Sequence, residues 1–313
     1  MSQAPIKQGP KGLLRWRGKP FGSPFSTVFL LTRIATVAVF LGRAWQHLRW
    51  DAPYRDLFWD EKWMGGLVHL FGYADWNSYV TDPRTDQVMQ HLIQATGWFY
   101  LLCAVMALMI TRLGKPGRRI LRIGGAFLIF LAALYTKEKF YFFGQFLEYT
   151  LQWSAPFFLA AFARQTSITD RQVLLLKVAI ALTFVCHGLY AVGYSPRPEL
   201  FQTMVINILG LGNDMAIHFL NLAGVLDFIF AAALFVPWRK INILALAYLT
   251  FWGFMTTIAR VWAFVHWEFL GSGLAQWLHE SVFRFPHFLL PLGLLIWLLY
   301  GKESNAIQEK DRE

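Results

Sequence analysis

The chain has 313 residues, of which 56% are hydrophobic and only 15% charged, with 29 Phe and 14 Trp. Soluble domains carry about 25% charged residues, so this composition excludes an ordinary water-soluble globule and points to lipid as the solvent. The net charge of +10 reads as a topology signal and argues against nucleic-acid binding, because the basic residues gather in short stretches between apolar segments.

Residues 1–26 are basic, contain Pro and Gly, and lack a cleavage site behind a short apolar core. They read as a disordered cytoplasmic tail, not a signal peptide. Apolar segments follow near 27–48, 91–110, 120–136, 142–163, 174–193, 217–236, 241–259 and 274–299. Each approaches the ~20 residues that cross a bilayer as a helix. Hydrocarbon permits only helices or closed barrels, and runs this long read as helices. The expected fold class is therefore an all-α membrane protein with eight transmembrane helices.

With the N-terminus placed inside and sides alternating, the cytoplasmic stretches hold 18 of the 29 Lys and Arg. The opposite loop, 49–90, holds four against seven Asp and Glu. Both termini, including the tail 301–313, then come out cytoplasmic. In loop 49–90 aromatic residues such as Trp50, Tyr54, Trp59 and Trp63 alternate with acids. Such a segment lies at the interface, as a cavity cap or as an aromatic belt. Cys103 and Cys186 lie in apolar segments and form no metal or disulfide motif.

The eight segments are written as two sets of four, 27–163 and 174–300, joined by a linker at 164–173. His91-Leu92-Ile93-Gln94-Ala95-Thr96-Gly97 opens the second segment of one half, and His218-Phe219-Leu220-Asn221-Leu222-Ala223-Gly224 that of the other. The fourth segments echo each other in Gln145-Phe146-Leu147-Glu148 and Gln276-Trp277-Leu278-His279-Glu280. Binding sites in membrane proteins built from repeats tend to lie where the repeats meet.

Few ionisable residues fall inside the segments, and charges facing lipid would cost about 2.5–3.5 kcal/mol each. Glu280, Arg284 and His287 form one helical stripe; Gln145, Glu148 and Gln152 form its counterpart, and Thr36, Arg43 and His47 a third. Arg33 and Lys177 sit near inner helix ends, where long side chains snorkel. The functional expectation is an outward-facing cavity lined by His187, His218, Asp227, Arg260 and Glu280, with His279 and Arg284 as further ligand contacts. The structural alternative is that Asp227 and Glu280 only salt-bridge Arg260 and Arg284. In the first half, Arg43 and Glu148 are expected to persist as a structural bridge.

Phe184-Val185-Cys186-His187-Gly188-Leu189 resembles the Phe-x-x-His-Gly signature of DoxX-like membrane proteins. Asn221-Leu222-Ala223-Gly224-Val225-Leu226-Asp227 resembles that family's second helix, with Asp where Glu is usual, and Glu280 is similar to the acid of its last helix. The resemblance covers residues 174–300 and, more weakly, 27–163, where Arg43 stands in place of the histidine and Tyr100 in place of the acid. It implies two tandem four-helix units in a bacterial inner membrane. The relatives include DoxD of thiosulfate:quinone oxidoreductase, MauE and the cargo receptor Surfeit 4.

The resemblance thus implies a membrane subunit of a quinone-linked redox system. His187 and Asp227 would act as donor and proton-relay pair, since histidine titrates near neutrality. Arg260 or Arg284 would stabilise a developing anion. The sequence has no flavin, nicotinamide, haem-attachment or iron–sulfur fingerprint, so the redox group would be quinone itself or belong to a partner subunit. No metal-ligand spacing is present, and none is assigned. The alternatives are a transporter or channel, disfavoured by the lack of matched broken helices, and a scaffold docking a larger complex through the aromatic outer loop.

Overall fold

The computed structural model describes residues 23–194 and 196–310; residues 1–22 of the expected basic tail and 311–313 of the other tail lie outside the described residues. All the regular structure among them is helical. Helix α1 (Pro24–Arg49) starts on a Ser23 cap with Pro24 in its first turn, where proline's fixed φ and missing N–H cost nothing. The outer segment then folds into α2 (Arg55–Phe58), α3 (Glu61–Met64), a 3-10 stretch (Gly65–Phe71) and α4 (Trp76–Thr81). Asp82 caps α5 (Pro83–Leu108), so this helix begins eight residues before the expected 91 and His91 lies two turns inside it. Helix α6 (Ile110–Glu138) enters through Gly114 at φ 56.

The expected fourth segment is two helices, α7 (Phe143–Glu148) and α8 (Thr150–Phe162), interrupted at Tyr149. Helix α9 (Asp170–Val192) opens on a Thr169/Gln172 capping box and ends at Gly193 with φ 80. Helix α10 (Glu199–Leu209) is short and was not expected; α11 (Asn213–Ala233) and α12 (Arg239–Phe264) follow. The last segment is again two helices, α13 (Leu270–Val282) and α14 (Pro286–Lys310).

Six helices, α1, α5, α6, α9, α11 and α12, are long and apolar enough to cross a membrane, and the α13–α14 pair, bent by 40°, makes a seventh if taken as one span. Eight spans were expected; by length and apolarity six or seven are present among the described residues. The difference comes from the two fourth segments, which hydropathy alone reads as continuous. Each interruption follows a glutamate, Glu148 or Glu280, and each is mended by a threonine on a neighbouring helix. The Leu151 N–H donates to Thr183 Oγ1 of α9 at 3.2 Å. The Thr257 hydroxyl of α12 donates to the Arg284 carbonyl at 3.2 Å. A helix broken at membrane depth needs such substitutes, because lipid offers its backbone none.

Packing follows the repeat. Within each half the first helix lies on the second, α1 on α5 and α9 on α11, and the third on the fourth, α6 on α8 and α12 on α14. Between halves the first helix of one lies on the fourth segment of the other: α1 on α13 and α14, α9 on α7 and α8. One apolar core accordingly mixes both halves, with Val28, Ala35 and Leu151 packed among Ile180, Leu246 and Leu290. Helices in lipid associate through close packing of small residues. At the α9–α11 crossing, a Cβ on Gly224 would stand 2.8 Å from the Gly188 carbonyl oxygen, and one on Gly188 3.0 Å from that of Gly224.

The outer segment is no free loop. Tyr54 is 2% exposed and packs with Met89, Ile93 and Leu134 over one end of the first half. Arg55 bridges Asp51 at 2.9 Å and Asp86 at 2.8 Å. Lys137 reaches Asp60 at 2.5 Å, and its ammonium holds the Asp60 carboxyl below the usual aspartate range.

Candidate functional site

The second half contains a cleft open to the outside, with an interior volume of about 140 Å³. Its walls come from α9, α10, α11, α12 and the α13–α14 break, with one residue, Glu148, from the first half. Most of the surface is apolar: Phe201, Met204, Ile208, Phe219, Trp252 and Met255. The polar groups are Glu148, His187, Thr256, Arg260, Arg284 and His287. Helix α10 supplies one whole apolar wall through residues 201, 204, 205, 208 and 209. Eleven residues fall well short of a span, so a search for membrane segments passes over them.

His187 Nδ1 lies 2.8 Å from Asp227 Oδ2. The Gly188–Gly224 crossing makes this possible, because it brings α9 and α11 together one residue after His187 and three before Asp227. Asp227 is fully buried. Its other oxygen, Oδ1, has no hydrogen-bond partner among the described residues, and neither has the Trp252 indole N–H in the cleft wall. With Nδ1 engaged by a carboxylate, the imidazole is held in one orientation and Nε2 is left without a partner among the described residues. The ring packs on Phe201 at 5.2 Å.

Across the cleft, Glu280 ties two arginines together. Its Oε2 lies 2.6 Å from Arg260 Nε and 3.1 Å from Arg284 Nη1. The Arg260 approach lacks the alignment of a hydrogen bond, so it is an ion contact. Arg284 also donates to the Glu280 carbonyl at 3.0 Å. Two guanidinium groups thus share one carboxylate, and Glu148 on the same cleft is a second acid near Arg260. Among the described residues Glu148 accepts from Gln145 alone, at 3.2 Å, and Gln145 in turn accepts from Tyr190 at 2.7 Å.

Of the residues singled out in the sequence, His187, Arg260 and Arg284 line the cleft. Asp227 and Glu280 stand directly behind them. The structural alternative in which Asp227 bridges an arginine does not occur, since its partner is His187. His218 is solvent- or lipid-exposed on α11 and does not join the group: it lies on another face of the helix from Asp227, nine residues on. His279 is buried, packs edge-on against Phe283 at 6.1 Å and is not part of the cleft lining. His287 lines the cleft, with its Nδ1 3.0 Å from the Arg284 carbonyl oxygen.

The expected Arg43–Glu148 bridge is also absent. Arg43, 2% exposed, donates to Gln46 Oε1 and Gln152 Oε1, both at 2.7 Å, and stacks over the Phe283 ring at 3.8 Å. Tyr149 and Tyr135 complete an aromatic surround. The interruption at Tyr149 explains the parting of the stripe: Gln145 and Glu148 turn toward the second half, while Gln152 stays with the first. His47 Nδ1 meets the Arg43 carbonyl at 2.7 Å. The outer segment caps this first-half cluster through Tyr54 and contributes nothing to the cleft.

Among the described residues no group of three His, Cys, Asp or Glu is gathered closely enough to hold a metal ion. Comparisons with protein-family models, with curated proteins and with solved structures give no match to this chain.

Proposed function

We propose that the chain is a bacterial inner-membrane protein of two DoxX-like four-helix units, with both termini cytoplasmic, whose second unit binds a quinone-like ligand for a quinone-linked redox system. On this reading residues 143–162 complete an eighth span despite their interruption. The observation that carries the proposal is the His187–Asp227 pair in the wall of an apolar cleft. Small-molecule sites are mostly apolar clefts with a few converging polar groups, and this cleft has that kind of lining. A quinone head is an apolar ring with two carbonyl oxygens. His187 Nε2 would exchange a proton with one of them, with Asp227 holding the ring and stabilising its charged form. Arg260 and Arg284 would stabilise negative charge on the other oxygen. The isoprenoid side would lie along the α10 wall.

The test is calorimetric titration of the purified chain with a short-chain, water-soluble quinone. Saturable binding is expected, weakened at least tenfold by His187→Ala and by Asp227→Leu with helical content unchanged. Absence of binding, or equal binding by both variants, would sink the proposal.

A second reading, transport, is favoured by one observation: both fourth segments are interrupted within a turn of their glutamates, at Tyr149 after Glu148 and past Val282 after Glu280. Half-helices paired across a repeat are a hallmark of transporters. Ala259→Cys places a thiol in the cleft wall, and a membrane-impermeant thiol reagent then distinguishes the readings. Labelling from both sides of oriented vesicles supports transport; labelling from one side alone supports a ligand site.

A further inference from the structure

A second pocket, open to the outside and with an interior volume of about 350 Å³, lies at the opposite end of α9 from His187, where α9 and α12 begin and α11 ends. Its polar wall holds Lys177, Arg239 and Asn242, its apolar wall Val173 and Trp297, and Asp170 stands at its rim. The two cations are held by neutral oxygens. Asn242 is 4% exposed, and its amide donates to the carbonyls of Val236 at 2.7 Å and Trp238 at 3.2 Å. This fixes the amide with Oδ1 turned to Lys177, whose ammonium donates to it. Arg239 donates through Nε and Nη2 to the Leu298 carbonyl at 3.1 and 2.8 Å, and through Nη2 to Leu299 at 3.1 Å.

Neither cation forms a salt bridge with a carboxylate among the described residues. A lysine ammonium has three N–H donors and an arginine five, so Lys177 keeps two free and Arg239 the pair on Nη1. Asp170 is exposed in the first turn of α9, where a carboxylate complements the positive helix end. One peripheral acid against two positioned bases leaves the pocket net positive. Snorkelling explains why Lys177 reaches the membrane boundary. It does not explain a rigid amide oriented toward it, nor a second cation on the same pocket with its remaining donors uncommitted.

We propose that this pocket binds the phosphate group of an anionic ligand, either the headgroup of a membrane phospholipid or a free phosphate ester. The oxygens of the phosphate would accept from Lys177 Nζ and Arg239 Nη1. Trp297 and Val173 would contact the glycerol or acyl part. Basic pockets between helices at a membrane surface bind anionic headgroups by this chemistry, and phosphate accepts charge-assisted hydrogen bonds from lysine and arginine. The inference is independent of the quinone reading, since the two pockets share no residue.

Native mass spectrometry of the full chain in mild detergent tests it, with phosphatidylglycerol, phosphatidylcholine and glycerol phosphate as separate probes. Retention of phosphatidylglycerol over phosphatidylcholine is expected, reduced at least tenfold in Lys177→Gln/Arg239→Gln and restored toward the parent when position 177 is Lys177→Arg alone. Asp170→Asn removes the charge of the rim acid while keeping its size, and should strengthen retention several-fold. Glycerol phosphate binding with the same dependence on the two cations assigns the site to a free ester; lipid binding without it assigns a headgroup. Equal retention by the parent and all variants, or no phosphate probe bound, overturns the proposal.

Discussion

Arg43 and His187 occupy corresponding places in the two halves, and their surroundings set them apart. Arg43 is sealed by two glutamine oxygens and an aromatic surround, with every contact internal. His187 has one nitrogen committed to Asp227 and its ring on a cleft. Arg43→Ala would leave the Gln46 and Gln152 oxygens unpaired in an apolar interior, at about 1–3 kcal/mol for each orphaned group. A lower thermal midpoint in detergent is expected, with ligand affinity in the second-half cleft unchanged within twofold. Arg43→Lys should rescue little, because an ammonium neither forks to two oxygens nor stacks as a plane on Phe283. A variant that keeps its stability and loses binding would place Arg43 in the working site after all.

Element packing at Gly188 and Gly224 sets the distance between His187 and Asp227. A Cβ at Gly188 would stand 2.9 Å from the Phe228 ring and 3.0 Å from the Gly224 carbonyl oxygen, so a neighbouring backbone has to move. At Gly97, the corresponding crossing of the first half, a Cβ would instead meet the Leu48 side chain at 2.8 Å and His47 Cβ at 3.0 Å. Overpacking of this kind costs about 1–3 kcal/mol. Gly188→Ala is expected to lose stability and ligand binding together, because it pushes α9 and thus His187 away from Asp227. Gly97→Ala is expected to lose stability alone. Titration of both variants at a temperature where both remain folded separates the two effects, and equal binding by both would show that the α9–α11 distance does not govern the pair.

At the scale of the molecule, each half lends its fourth segment to the first helix of the other. Glu148 reaches the cleft by this exchange, and the core that joins Val28 and Leu151 to Ile180 and Leu290 exists only when both halves are present. Residues 164–313 expressed alone should therefore be degraded, and co-expression with residues 1–163 should restore a stable, ligand-binding complex. Measured as the yield of folded protein in detergent, a stable isolated half that binds as tightly as the whole would contradict the shared core.

The membrane character, the helical class and the six long spans were legible in the sequence for one physical reason. Lipid demands about 20 apolar residues whose backbone bonds close within the segment, and that demand is met residue by residue along the chain. His187, Asp227, Arg260, Glu280 and Arg284 were legible as a group because charge in such segments is costly and must face inward. Their pairing was not. Which carboxylate meets which cation depends on how each helix is rotated about its axis, and packing sets that rotation: the Gly188–Gly224 contact gives Asp227 to His187, while His218, on the same helix, is turned outward. The interruption at Tyr149 separates Gln152 from Glu148, and only neighbours distant in sequence, Thr183 and Thr257, make it and its counterpart after Glu280 tolerable. The cleft itself required α10, eleven residues that span nothing, to be laid against α12. Composition and spacing chose the solvent and the elements; contacts between residues far apart in the chain decided where the site is and what lines it.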